Sequence, residues 1–451
     1  MQGSLEITWK DHNKFISLAI PLIIASLTTP LLGVVDTAIM GRFPQAAYIG
    51  GVSVAVLIFN TLYWALGFLR VSTAGFSAQA SGSKNSQNLT LAILRPLVIA
   101  WGLGLLIVVL QWPIKKAAFS LLNPTEVIGL IASDYYDVRI WSAPFTLTNY
   151  VIVGWLMGLA KVRLSLTFQV AMNVLNMLLA IFLVVGLGFA AKGVAAATLV
   201  SEIFIAVVSL WVVLCSKEIS FQNISLVSID RWSALIHMMK MNRDLFIRTI
   251  CMLIVYNMVT AYGMRYGESI LAGNAILMQI HFLMANFLGG IGNAGTVVSG
   301  KAIGKKNRRL FNQSIYLTAF WGATMATILV GISTLLQIPL ISIFTNLTDV
   351  SQAANNYFYW ILLYPLFGFW GLGLFGIFVG ATTAEPIRNS LIYSLAVFLL
   401  CLWLSTDKLG NSGIWLSFTI FNLARSLFLW QALPSLKKNL FKNNCCRGEL
   451  K

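Results

Sequence analysis

Of the fifteen acids in this 451-residue chain, only Asp36 and Glu202 fall inside long apolar runs. Asp36 stands near the end of the first run, in Leu31-Leu32-Gly33-Val34-Val35-Asp36-Thr37-Ala38-Ile39-Met40-Gly41-Arg42. A charged side chain inside a bilayer costs at least ~2.5–3.5 kcal/mol on insertion scales, so a carboxylate kept there is a candidate ion carrier. The plainer alternative is that Asp36 reaches water at the helix end or pairs with Arg42. Glu202 follows Thr198 by four residues, which puts both on one helix face. Asn173 and Asn176 share a face in the preceding run, and Thr146 and Asn149 do so one run earlier. A single asparagine in an apolar helix reads as an interhelical hydrogen bond. Asn149, Asn173, Asn176 and Thr198, gathered in one half with an intramembrane acid, predict a hydrated cavity instead. The basic residues within runs are Arg70, Arg139 and Arg425. The sequence pairs Arg139 with Asp137 or Asp134 and reads all three arginines as structural.

Nothing here spells catalysis. There is no His-Glu-x-x-His, no Gly-x-Ser-x-Gly and no phosphate-cradling Gly-rich loop ahead of Lys-Ser/Thr. Any energy must then come from an ion gradient or a partner, not from a nucleotide bound by this chain. The five cysteines show no metal-ligand spacing. The three histidines are scattered, and His281 reads as a hydrogen-bonded structural residue.

The elements that must hold these residues are membrane spans. Hydrophobic residues make up 58% of the chain and charged ones 10%, against about 25% charged in soluble domains. Apolar runs repeatedly exceed the ~20 residues that cross a bilayer core. Twelve spans are expected, near 14–40, 46–72, 88–112, 126–158, 164–187, 190–215, 244–267, 271–300, 310–337, 352–381, 386–406 and 410–436. The first run is too long for a removable signal peptide. A net charge of +16 invites a nucleic-acid partner, but its distribution argues against one. Arg42, Lys115, Lys116, Lys192, Arg265 and Lys408 fall on one side of the membrane, and nearly all other basic residues on the other. The positive-inside rule then puts both termini in the cytoplasm, with membrane lipids as the contacts of the basic side. Pro21 and Pro30 interrupt the hydrogen-bond ladder of the first span and predict a helix that bends.

The chain also repeats itself. Ala80-x-Gly82-x-Lys84-Asn85 returns as Ala302-x-Gly304-x-Lys306-Asn307, 222 residues on. Thr37-Ala38, Arg42 and Gly50 return as Thr260-Ala261, Arg265 and Gly273, and Gly193-Val194 returns as Gly413-Ile414. Ordered echoes at a near-constant offset predict two homologous six-span halves in the same orientation. The expected organisation is a first lobe over 1–215, a cytoplasmic linker with an amphipathic surface helix over 216–243, and a second lobe with a tail over 244–451.

The chain resembles the multidrug and toxic compound extrusion (MATE) family, in its DinF-like bacterial branch. The resemblance rests on Leu32-Gly33-Val34-Val35-Asp36-Thr37-Ala38-Ile39-Met40-Gly41, Leu66-Gly67-Phe68-Leu69-Arg70, Arg139-Ile140-Trp141-Ser142-Ala143-Pro144 and Gly154-Trp155-Leu156-Met157-Gly158. Asn242-Arg243-Asp244, Ala272-Gly273-Asn274-Ala275-Ile276-Leu277 and Gly376-Ile377-Phe378-Val379-Gly380-Ala381-Thr382 extend it over the whole chain. It implies an all-α integral membrane protein, with twelve transmembrane helices in two six-helix lobes around a central cleft. It also implies antiport, in which organic, often cationic compounds or amphiphiles leave as protons or sodium enter. No cofactor is needed beyond that ion. Asp36 matches the ion-coupling aspartate, Asn176 and Thr198 match cavity residues, and Pro21 matches the bend. Acids common in this family are replaced here by Ala180, Gly289, Thr296 and Phe375. That leaves coupling to Asp36, with Glu202 assisting, and favours protons over sodium. The expected setting is the bacterial inner membrane and a functional monomer. The rival readings are a sodium-coupled antiporter, a lipid-linked-precursor flippase, which needs a markedly cationic cavity, and an intramembrane enzyme.

Overall fold

The computed structural model describes residues 7–40, 46–83, 85–220 and 232–441, with side chains over 7–26, 48, 50–83, 85–220 and 235–441. The described residues form helices and turns, with no strand among them. In the first half the helices are α1 (Trp9–Met40), α2 (Ala46–Leu66), α3 (Phe68–Ser83), α4 (Ser86–Val109), α5 (Gln111–Leu122), α6 (Glu126–Arg139), α7 (Ala143–Gly158), α8 (Val162–Ala180) and α9 (Ala190–Leu214). In the second half they are α10 (Trp232–Gly263), α11 (Glu268–Gly304), α12 (Arg308–Leu335), α13 (Gln337–Ser342), α14 (Thr348–Gly380), α15 (Glu385–Leu409) and α16 (Asn411–Phe441). Among the described residues, 10 helical runs are long and apolar enough to cross a membrane. Their outer faces stay apolar: Trp211 is 67% exposed and Leu335 83%. Such a surface suits hydrocarbon, not water.

Two differences from the sequence reading concern continuity. The run 126–158 is not one helix. A 3₁₀ turn at Ile140–Ser142 separates α6 from α7, just ahead of Pro144, whose missing N–H suits the first turn of a new helix. Conversely, residues 232–243 are not a separate surface helix. They are the opening turns of α10, which meets no Gly or Pro before Gly263. Met238, Met241 and Leu245 lie buried along one stripe of it.

The chain divides into two compact units, Leu27–Met238 and Met1–Ser26 with Met239–Lys451. The start of α1 thus belongs with the second half of the sequence, unlike a lobe boundary drawn after residue 215. His12 packs edge-on against Phe320 and Trp321 at 5.1 and 6.0 Å between ring centres, and Ser26 donates to the Asn286 carbonyl at 3.2 Å.

The 222-residue repeat is written into the packing of each unit. In the first, Gly154 and Gly158 of α7 face the backbone of α3. A Cβ on Gly154 would strike the Arg70 carbonyl, and one on Gly158 would lie 2.5 Å from the Ala74 carbonyl. In the second, Gly376 and Gly380 of α14 face α11 in the same way. A Cβ on Gly376 would strike the Gly292 carbonyl, and one on Gly380 would lie 2.6 Å from the Thr296 carbonyl. All four glycines and all four carbonyl residues pair off at an offset of 222. Apolar attraction between helices is weak in lipid, so small residues that admit close backbone contact do the holding.

Both helices then stop alike. Ala160 and Thr382 take left-handed φ of 67° and 53°. The N–H groups of Lys161 and Thr383 reach back to the carbonyls of Leu156 and Phe378 at 2.9 and 3.1 Å, a Schellman closure. The starts of α4 and α12 also correspond. Asn85 Oδ1 accepts from the Asn88 N–H at 3.1 Å, and Asn307 Oδ1 from the Leu310 N–H at 3.0 Å.

Adding a methyl at Gly154 or Gly376 should destabilise the protein by roughly 1–3 kcal/mol, the usual range for overpacking. Gly102 has open space around it, so Gly102→Ala should be neutral or stabilising by up to ~1 kcal/mol. Thermal unfolding of the detergent-purified variants checks this, and an unchanged midpoint for Gly376→Ala would discard the contact as a holding element.

Candidate functional site

Asp36 lies on the α1 backbone, but its side chain is outside the described residues, as are those of Pro30 and Arg42. Helix α1 runs through Pro21, which is half-buried. The remaining predicted site residues all fall in the first unit, and the structure joins most of them.

Glu202 is buried on α9, 5% exposed. Its Oε1 accepts from Arg139 Nη2 at 2.9 Å, and its Oε2 from the Thr146 hydroxyl. Asn149 Nδ2 donates to the Glu202 backbone carbonyl at 3.2 Å. Ser142, in the turn between α6 and α7, stands 3.4 Å from Thr146 and 3.2 Å from the Tyr63 hydroxyl. The Arg139 guanidinium lies over the rings of Phe59 and Tyr63, 5.8 Å from each centre. The result is one polar cluster that ties α2, α6, α7 and α9 together.

This corrects the expected partner of Arg139. Asp137 instead meets Lys115 at 2.7 Å, and Asp134 meets Lys192 at 3.3 Å. The reason was available in the sequence. Residues two and five positions away on a helix do not share a face with Arg139, whereas Glu202 was the one other acid placed within a first-half span. The break at Ile140–Ser142 then turns α7 so that Thr146 and Asn149 address the same partner.

One turn back on α9, Thr198 accepts from Asn176 Nδ2 at 2.8 Å and donates to the Val194 carbonyl at 3.0 Å. Asn176 Oδ1 is buried without a hydrogen-bond partner. Asn173 lies one turn from it on α8 and is half-buried. Thus α9 presents two polar stations at i and i+4, one to α8 and one to α6 and α7.

The second unit has its own polar groups. Asn274 and Asn411 exchange amide hydrogen bonds at 2.7 and 3.0 Å, and Trp415 Nε1 donates to Asn274 Oδ1 at 2.9 Å. Asp244, 4% exposed, is held by Arg243 and Arg388 at 2.9 and 2.8 Å and so ties α10 to α15. His281 is buried among Tyr256, Tyr364 and Phe418, with Nε2 3.4 Å from the Tyr256 hydroxyl. Among the described residues no cluster of His, Cys, Asp and Glu could hold a metal ion.

Removing one member of a buried ion pair leaves the other unpaired, at about 3–5 kcal/mol, while replacing both by apolar groups is near neutral. Glu202→Gln and Arg139→Met should each lower stability by an amount in that range, and Arg139→Met/Glu202→Leu by clearly less than their sum. A double-mutant cycle on unfolding in detergent tests this, and additive losses would dissolve the pair as an energetic unit.

Comparisons with known proteins converge on one family. The family model MatE matches residues 21–182 and again 245–405, one copy in each half of the sequence. The chain is 34% identical to the DNA damage-inducible protein F of Escherichia coli, over 91% of this chain and 90% of that one. It is 20% identical to the probable multidrug resistance protein NorM of Photorhabdus laumondii, over 96% and 97%. Its fold is that of a MATE protein solved in a bent conformation, at a TM-score of 0.84 and 21% identity, covering 96% and 97% of the two chains. With the duplicated glycine contacts and the apolar helices, these likenesses make the chain a member of the MatE family of multi-pass membrane transporters, which is not an enzyme class.

Proposed function

We propose that this protein is a secondary antiporter of the bacterial inner membrane. It exports small organic cations or amphiphiles in exchange for protons, with Asp36 as the coupling carboxylate. Both termini lie in the cytoplasm, and the working unit is a monomer of twelve spans in two lobes around a central cleft. The observation that carries the reading is the Arg139–Glu202 pair. Of the two carboxylates that the sequence reading puts inside spans, Glu202 has a fixed partner, which supports Asp36 as the acid for a proton to use. Glu202 then acts by positioning. It anchors α9, on which Thr198 and Asn176 form the polar wall.

The physical cycle is competition. A low-dielectric site favours the neutral acid, and a cationic substrate nearby favours the ionised one. Proton and substrate therefore exclude each other, and a membrane potential supplies ~2.3 kcal/mol per charge per 100 mV to drive the proton inward. Multidrug relatives such as NorM support organic substrates.

The test is reconstitution in sealed liposomes with an imposed pH gradient and no sodium, following a fluorescent organic cation. Wild type should move the cation. Asp36→Asn should lose proton-driven movement, while Asn176→Ala should keep coupling and change apparent affinity. Movement only under a sodium gradient would replace the proton by sodium. Full proton-driven movement in Asp36→Asn would overturn the assignment.

A further inference from the structure

In the second half of the sequence the one carboxylate found buried among the described residues, Asp244, is already held by Arg243 and Arg388, yet Arg425 lies deep within another apolar helix. The structure buries it, at 5% exposure. A guanidinium cannot shed its proton, and an unpaired buried charge costs several kcal/mol. Arg425 should therefore be met by an acid, and among the described residues only the neutral Tyr364 phenol and the Met252 sulfur stand beside it. Its Nη1 points at the Met252 sulfur, 3.7 Å away. Its Nε and Nη2 are buried with no hydrogen-bond partner, and it forms no ion pair among the described residues.

A second guanidinium shares its surroundings. Arg248 of α10 and Arg425 of α16 both line one small cavity, with Gly371, Phe375, Leu391 and Leu429. Arg248 lies over the Phe375 ring, 4.5 Å from its centre, and it too makes no ion pair among the described residues. The acid one turn before it, Asp244, already holds Arg243 and Arg388. Gly371 keeps the space open. A Cβ there would lie 3.2 Å from Arg425 Nε and 2.7 Å from the Ser426 hydroxyl, and that hydroxyl is fixed by the Gly371 N–H and the Phe367 carbonyl. The cavity measures about 10 Å³, which is room for one water-sized particle. A water would meet the free N–H groups but would not offset two positive charges.

We propose that Arg248 and Arg425 form an anion site in the second unit. It takes one small anionic centre, either a free halide or one oxygen of a carboxylate. Apolar walls and a converging pair of guanidinium groups are the usual makings of anion recognition, since charge-assisted hydrogen bonds from Arg are strong and directional. The site gives a transporter that handles cations a place for their counter-ion, or for the carboxylate of a zwitterionic compound. It is independent of the coupling role given to Asp36, and its test reads binding rather than transport.

The experiment uses full-length protein purified in detergent. Thermal unfolding is followed by tryptophan fluorescence while sodium chloride or sodium acetate replaces sodium HEPES at constant ionic strength. HEPES serves as the reference because its sulfonate head is bulkier than a halide or a planar carboxylate and spreads its charge over three oxygens, so it fits a cavity of one water least well. In wild type, chloride or acetate should raise the midpoint by a few degrees, with saturation. Arg425→Met and Arg248→Gln should lose that response, and Arg425→Lys should keep part of it. A response to chloride alone names a free halide, and one to acetate alone names a carboxylate-bearing ligand. Both outcomes support the site. If Arg425→Met does not fold, the partly exposed Arg248→Gln decides. No response in wild type, or an equal response in wild type and Arg248→Gln, overturns the proposal.

Discussion

Helices in hydrocarbon gain little from hiding apolar faces from one another, because the solvent is as apolar as they are. What remains is close contact and hydrogen bonding, and this chain uses both at fixed places. Gly154 and Gly158 bring α7 onto the α3 backbone, and Gly376 and Gly380 bring α14 onto α11. Two of the polar groupings sit on the helices that these contacts position. The first positions α7, so that Thr146 and Asn149 face Glu202. The second positions α14, so that Phe375 and Gly371 face the two arginines. A glycine in a soluble helix is a liability of ~1 kcal/mol against alanine. Here the same lack of a Cβ is the condition for assembly.

From one plan the two units diverge in charge. In the first, Arg139 is buried against rings and answered by Glu202, so cation and anion close on each other. In the second, Arg425 is buried more deeply and answered by no acid among the described residues. Duplication preserved the backbone arrangement, down to the left-handed residues Ala160 and Thr382, while the side chains that fill it changed sign and partner. Geometry set by backbone contact tolerates that freedom. Charges placed within it do not, since each must be met by a partner or a ligand.

Much of this was legible in the sequence. Composition and run length gave a helical membrane protein, and the echo of Ala80-x-Gly82-x-Lys84-Asn85 gave the repeat, whose two copies the family model also matches. The glycine pairs were harder to see. A Gly-x-x-x-Gly pattern is common in apolar helices, and only the facing carbonyls give it meaning. The break at Ile140–Ser142 was signalled by Pro144 alone, whose effect depends on neighbouring helices that accept the freed backbone groups. The partner of Arg139 lies 63 residues away at matching depth, while the acids near it in sequence pair with Lys115 and Lys192, and proximity in sequence does not report depth in a span. The start of α1 was assigned by chain order to the first half, whereas Ile23 and Ser26 pack on α11. Chain order does not report that packing.

The ion pair also fixes what Glu202 does in the first unit. Arg139 and Thr146 each hold an oxygen of its carboxylate. Removing the carboxylate would strand Arg139, whose Nη1 already lacks a partner, against the rings of Phe59 and Tyr63. A fixed post is the better description. It holds α9 in register, and on the next turn of α9 Thr198 meets Asn176, whose Oδ1 is buried without a partner.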